Sequence, residues 1–85
     1  MGRYRVVFRK SVAHDLRGIP NRDLRKILVS VESLSEDPRP LGVEKLSGHE
    51  RYRVRQGNYR IIYAVYHQKL LVSVIDLGHR RENYR

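Results

Sequence analysis

Cysteine and tryptophan are absent from this 85-residue chain, and phenylalanine and methionine occur once each. Without cysteine, neither a disulfide nor a thiolate metal site can reinforce the core, and the composition suits a reducing compartment. No stretch approaches the roughly 20 apolar residues that cross a bilayer. Met1-Gly2-Arg3 leads into a strand pattern and not into the apolar region of a signal peptide, so a cytoplasmic protein without membrane contact is expected. A chain this short buries only about two-thirds of its unfolded surface, which feeds one core and one domain over residues 1–85. Acid is scarce too: nine Asp and Glu stand against 18 Lys and Arg, for a formal charge of +9. The excess is concentrated, net +3 over residues 1–50 and net +6 over residues 51–85. Such a body calls for a polyanion or an acidic protein as partner.

What is present reads in order as strand, helix, helix and three strands. Arg3 to Arg9 alternates, with Tyr4, Val6 and Phe8 on one side. Ser11 is placed as N-cap of a short helix carrying Val12, Leu16 and Ile19, which Pro20 ends. Asn21 caps a second helix, Asp23 sits in its first turn, and Leu24, Ile27, Leu28, Val31 and Leu34 form the stripe that faces the sheet. Residues 35–42 hold two prolines and one glycine and read as a loop. Residues 43–46 are too short a run to assign, and residues 47–50 form a turn. Strands over 51–56, 59–66 and 70–77, joined by short connections, predict an antiparallel meander. The first strand is expected beside the last, so that the helical hairpin returns across one face. The fold class is α+β, a helical hairpin packed on a small, mainly antiparallel sheet.

The chemistry gathers in the last third. Arg51, Arg53 and Arg55 share one strand face, and the Gly57-Asn58 turn brings Arg60 back beside Arg55. Arg80 and Arg81 follow the last strand. Several guanidinium groups together suit a phosphate backbone. Tyr59 and Tyr63 share a face with Ile61 and Val65 and read as core, whereas Tyr84 stands in a polar stretch where a phenol can stack on a base or move a proton. The four histidines, His14, His49, His67 and His79, have no metal-ligand spacing, and no metal or other cofactor is expected. His79 adjoins the basic cluster, and an imidazole side chain is suited to general acid or base work. Residues 51–85 hold only Asp76 and Glu82 as acids, without a paired-carboxylate arrangement. Cutting chemistry here therefore rests on positive charge and on the substrate's own nucleophile. RNA carries one in its 2′-hydroxyl, and arginines can neutralise the phosphorane-like transition state.

The run YRVRQGNYRIIYAV followed by LGHRRENY resembles the RelE/ParE superfamily of bacterial and archaeal type II toxins, and most of all its RelE-type branch of ribosome-dependent mRNA interferases. The resemblance covers essentially the whole chain. It implies a metal-independent endoribonuclease that cleaves codons in the ribosomal A site by 2′-hydroxyl attack. By that resemblance Arg60 and Arg80 neutralise the scissile phosphate, Arg53 and Arg55 occupy the family's paired basic positions, often lysine, and Tyr84 stacks on a codon base. Lys45, Arg51 and Arg81 join them as RNA- or ribosome-binding groups, with His79 as a second proton-transfer group. It further implies a RelB-like antitoxin with an acidic wrapping segment, and contact with promoter DNA only through the toxin-antitoxin complex. A gyrase-poisoning toxin of the same fold, and a non-enzymatic basic module that binds RNA or protein, are the alternative readings.

Overall fold

The structure is a computed structural model that describes residues 3–46 and 50–79. Where polar and apolar side chains alternate, the backbone extends and pairs: β1 spans Arg5–Phe8, β3 Arg51–Gln56, β4 Tyr59–Tyr66 and β5 Leu71–His79. Where apolar residues recur at helical spacing it coils, as α1 over Lys10–Leu16 and α2 over Asn21–Ser33. Glu44–Lys45, a run too short to assign from sequence, adds a two-residue β2 on the outer edge of β3. The sheet has five strands in the order β1-β5-β4-β3-β2, with β1 parallel to β5 and all other pairs antiparallel. The expected meander and the expected place of β1 are both found.

Strand and helix limits differ from the sequence reading for identifiable reasons. The Arg9 N–H closes the β1 ladder on the Val74 carbonyl, and the Arg9 carbonyl then accepts from Val12 and Ala13. The strand thus runs straight into α1, Arg9 is the N-cap and Ser11 lies inside the first turn. That helix ends at Leu16 in a turn over residues 17–19, before Pro20 is reached. Pro20 instead caps α2, its carbonyl accepting from Leu24 at 2.8 Å, which makes Asn21 the first helical residue. Leu70 adopts a left-handed conformation (φ 51°) after a 3₁₀ turn at His67–Lys69, so β5 starts one residue later than expected. It also runs two residues further, because Gly78 and His79 still find partners in Arg60 and Tyr59.

Both helices cover the same face of the sheet, α1 over β5 and α2 over β3. Val12, Ile27, Val31 and Leu34 meet Tyr52, Ile61, Tyr63 and Val65 there. Leu28 departs from the expected stripe and is 40% exposed, since Ile27, Val31 and Leu34 centre the contact and Leu28 sits about 100° further round. In β5 the buried residues are Val72, Val74 and Leu77; the odd spacing follows from a bulge opposite Ile62/Tyr63 that leaves Ile75 without a register partner. The bulge turns Asp76 to the helix-free face and Leu77 to the core. No helix among the described residues is long and apolar enough to cross a membrane.

Candidate nucleic-acid interface

Strand alternation puts Arg51, Arg53 and Arg55 on the face without helices, because Tyr52 and Val54 between them pack on the core. The Gly57-Asn58 turn, with Gly57 at φ 62°, folds β4 back so that Arg60 stands directly opposite Arg55. Like charges so paired have Cβ atoms about 5 Å apart and destabilise a sheet. The next strand places Gly78 opposite Arg60 and contributes no side chain there. Arg53, one pleat along, is opposite Ile62 on one side and Glu44 on the other.

Glu44 was not singled out in the sequence. It is a carboxylate bonded directly to this cluster, contributed by the short edge strand and not by the basic third of the chain. Arg53 donates to Glu44 Oε1 from Nε at 3.1 Å and from Nη2 at 2.5 Å. Those two bonds to one oxygen, with the Arg53 charge and smaller contributions from Arg55 and Arg60, hold the Glu44 carboxyl below its ordinary value. The patch thus sets Glu44 among Arg53, Arg55 and Arg60, beside a groove of about 540 Å³, with Asp76 on the same sheet face.

Other residues singled out in the sequence lie elsewhere. Lys45 alternates away from Glu44, opposite Tyr52, and its Nζ lies 3.9 Å from Glu50. Glu50 centres a second polar network: it accepts from the Tyr52 hydroxyl in a short bond and meets His67 Nε2 at 3.3 Å, while His67 Nδ1 meets the Tyr4 hydroxyl at 2.9 Å. Burial, followed by the Glu50 bond, pushes the Tyr52 phenol up. His79 pairs with Tyr59 on the helix-bearing face, its ring meeting the Tyr59 ring edge-on at 5.0 Å. It lines a cavity with Asp15 and Ile19 and does not share the face of Arg53, Arg55 and Arg60. Arg80, Arg81 and Tyr84 fall outside the described residues. So does His49, while His14 and His67 stand apart on α1 and the 3₁₀ turn. No group of three or more His, Cys, Asp or Glu side chains comes together among the described residues.

The two depressed carboxylates give a pH prediction. The Tyr52 and His67 bonds hold Glu50 below 4.5 as Arg53 holds Glu44. Stability from such groups is full above the ordinary value and falls away as pH drops through the lower folded value. Wild-type protein should therefore lose more urea resistance between about pH 6 and about pH 3 than an E44Q/E50Q variant does. Equal losses in both proteins would show that these acids do not carry the acid sensitivity.

A family model described as ParE toxin of type II toxin-antitoxin system, parDE, matches residues 6–84. Toxin RelE3 of Methanocaldococcus jannaschii is 36% identical over 62 residues, which is 67% of this chain and 70% of that protein. A chain in the crystal structure of an archaeal RelE-RelB complex from Pyrococcus horikoshii OT3 is 32% identical and superposes with a TM-score of 0.85, over 92% of this chain and 96% of that one. A chain of the toxin-antitoxin complex RelBE2 from Mycobacterium tuberculosis gives a TM-score of 0.79 at 25% identity, over 94% of each chain.

Proposed function

The chain belongs to the RelE/ParE superfamily of type II toxin-antitoxin toxins, and from that premise we propose that it is a ribosome-dependent mRNA endoribonuclease. The observation that carries this reading is the cross-strand pair Arg55–Arg60 with Arg53 beside it, a local repulsion that an anion relieves. In the proposed reaction the 2′-oxygen of one codon nucleotide bonds to the adjacent phosphorus and the bond from phosphorus to the 5′-oxygen breaks. The products are a 2′,3′-cyclic phosphate and a free 5′-hydroxyl, one proton leaving the attacking oxygen and one reaching the departing oxygen. Arg60, Arg55 and Arg53 hold the charge that builds on the phosphate, a task needing no metal ion. Arg80 is assigned the same task, Tyr84 stacks on a codon base, and Arg51, Arg81 and Lys45 steer the RNA and the ribosome. His79 is kept as a proton-transfer group reached from the sheet's end.

Guanidinium groups are poor bases, since their pKa exceeds about 12. The ribosome accordingly supplies what the toxin lacks, an RNA strand held for in-line attack. The P. horikoshii and M. tuberculosis relatives form complexes with antitoxins, and an acidic, RelB-like antitoxin segment is the proposed partner here, contact with promoter DNA coming only through that complex. The ParE description of the matching family favours a second reading, a toxin that poisons DNA gyrase. One experiment separates the two: brief expression followed by mapping of mRNA 5′ ends, with the same RNA then offered to purified protein free and on a programmed ribosome. Cuts in codon register that require the ribosome are expected. Equal cutting of free RNA, or intact mRNA with trapped DNA breaks, would overturn the proposal.

A further inference from the structure

Regular alternation along β5 would bury residue 76 beneath the helices, since Val72 and Val74 both face the core. The bulge opposite Ile62/Tyr63 reverses that phase, so Leu77 takes the buried place and Asp76 is exposed on the face that carries the arginines. Asp76 is in register with Ile62, and Ile62 in turn with Arg53. Arg60 lies one pleat along, opposite Gly78, which adds no side chain to that face. Asp76 is therefore the diagonal neighbour of Arg60, at about 7–8 Å and within reach of a long side chain. Its carboxylate is oriented by the backbone beside it: Oδ1 accepts the Leu77 N–H at 2.9 Å, and Oδ2 has no protein partner among the described residues.

An acid on a phosphate-binding face opposes the binding of phosphate, and this one is turned there by a local break in the strand. Glu44, also on that face, gives one oxygen to two Arg53 bonds that hold its carboxyl low and weaken it as a base. From the placement of Asp76 beside Arg60 we propose that Asp76 is the general base of the cleavage, its Oδ2 taking the proton of the attacking 2′-hydroxyl while Arg60 holds the phosphate under attack. This inference rests on the endoribonuclease reading above and supplies the proton acceptor that the arginines cannot be. As the 2′-oxygen bonds to phosphorus, its proton passes to the Asp76 carboxylate. The bond from phosphorus to the 5′-oxygen breaks with its electron pair on that oxygen, which takes a proton from water. Asp76 then returns its own proton to solvent, and the charges balance over one turnover.

The test is single-turnover cleavage on a programmed ribosome at saturating protein. Asp76→Asn keeps an acceptor for the Leu77 N–H and removes the base. Its rate should fall by about 100-fold or more, as loss of a general base does. Its affinity for the ribosome should equal or exceed that of wild type, because a negative charge has left the face. Asp76→Ala should be as slow and should regain rate with added formate, a readout that a merely structural role would not move. A substrate with sulfur in place of the departing 5′-oxygen needs no proton on its leaving group, so D76N should stay slow on it. Recovery of the wild-type rate on that substrate would make Asp76 the proton donor and overturn the assignment. A D76N rate equal to or above wild type on the natural RNA would overturn it too, leaving Asp76 a charge that tempers the arginines. Absence of cleavage by the wild-type protein would instead remove the endoribonuclease reading, and this base with it.

Discussion

Arg60→Ala should lower the single-turnover rate on a ribosome-bound codon by about 100-fold or more, as removal of one well-placed electrostatic donor does. Arg60 stands opposite Arg55 on one side and Gly78 on the other, so the cluster has no side chain on β5 to take over its charge. The fold should be nearly indifferent, because the substitution also removes a like-charge pair from the sheet. A thermal midpoint within about 4 °C of wild type is expected, the range of a surface substitution in a domain of this size. Kinetics at saturating ribosome decide the role: a wild-type rate once bound would make Arg60 a docking group only.

Tyr63→Ala should act the other way, on the fold first. The Tyr63 ring is fully buried, stacks on Tyr52 at 5.7 Å, and its hydroxyl donates to the Pro38 carbonyl at 2.7 Å. Burial pushes that phenol up, so it is a protonated donor at neutral pH. Deleting a buried aromatic ring costs about 3–5 kcal/mol, against a total of about 5–15 kcal/mol for an ordinary domain. Tyr63→Phe should cost only about 1–2 kcal/mol, for one orphaned carbonyl. Urea titrations of the two variants would measure both, and a cost for Tyr63→Ala no larger than for Tyr63→Phe would refute the packing argument. The Pro38 bond also ties the core to the loop leading through Leu41 to Glu44, so Tyr63→Phe reaches the groove through that loop.

How far the molecule could be read in advance depended on how long each pattern ran. Six alternating residues from Arg51 to Gln56 were enough to place three arginines on one face, and the Gly57-Asn58 turn was enough to bring Arg60 to Arg55. The stripe on α2 likewise ran long enough to show its buried side. Glu44 was illegible because a two-residue strand has no period; only its bond to Arg53, nine positions later, reveals what it faces. Adjacency in sequence hides an alternation of faces at the end of β5: Gly78 shares the face of Arg60, and His79 the face of Tyr59. The bulge at Ile75 was equally hidden, being a property of how two strands pair and not of either alone.

The parallel contact of β1 with β5 joins positions 66 residues apart, from Arg5 to Leu71. During translation the chain emerges amino-terminus first, and β1 leaves the ribosome long before the strand that must lie between it and β4. Until β5 is complete, β1 and α1 have no sheet to close against, and the apolar faces of both helices have only half a floor. A truncated or stalled nascent chain thus holds its strands β3 and β4 without the layer that makes them rigid. The last strand among the described residues is an interior one, so the sheet surface cannot be complete before β5 has emerged.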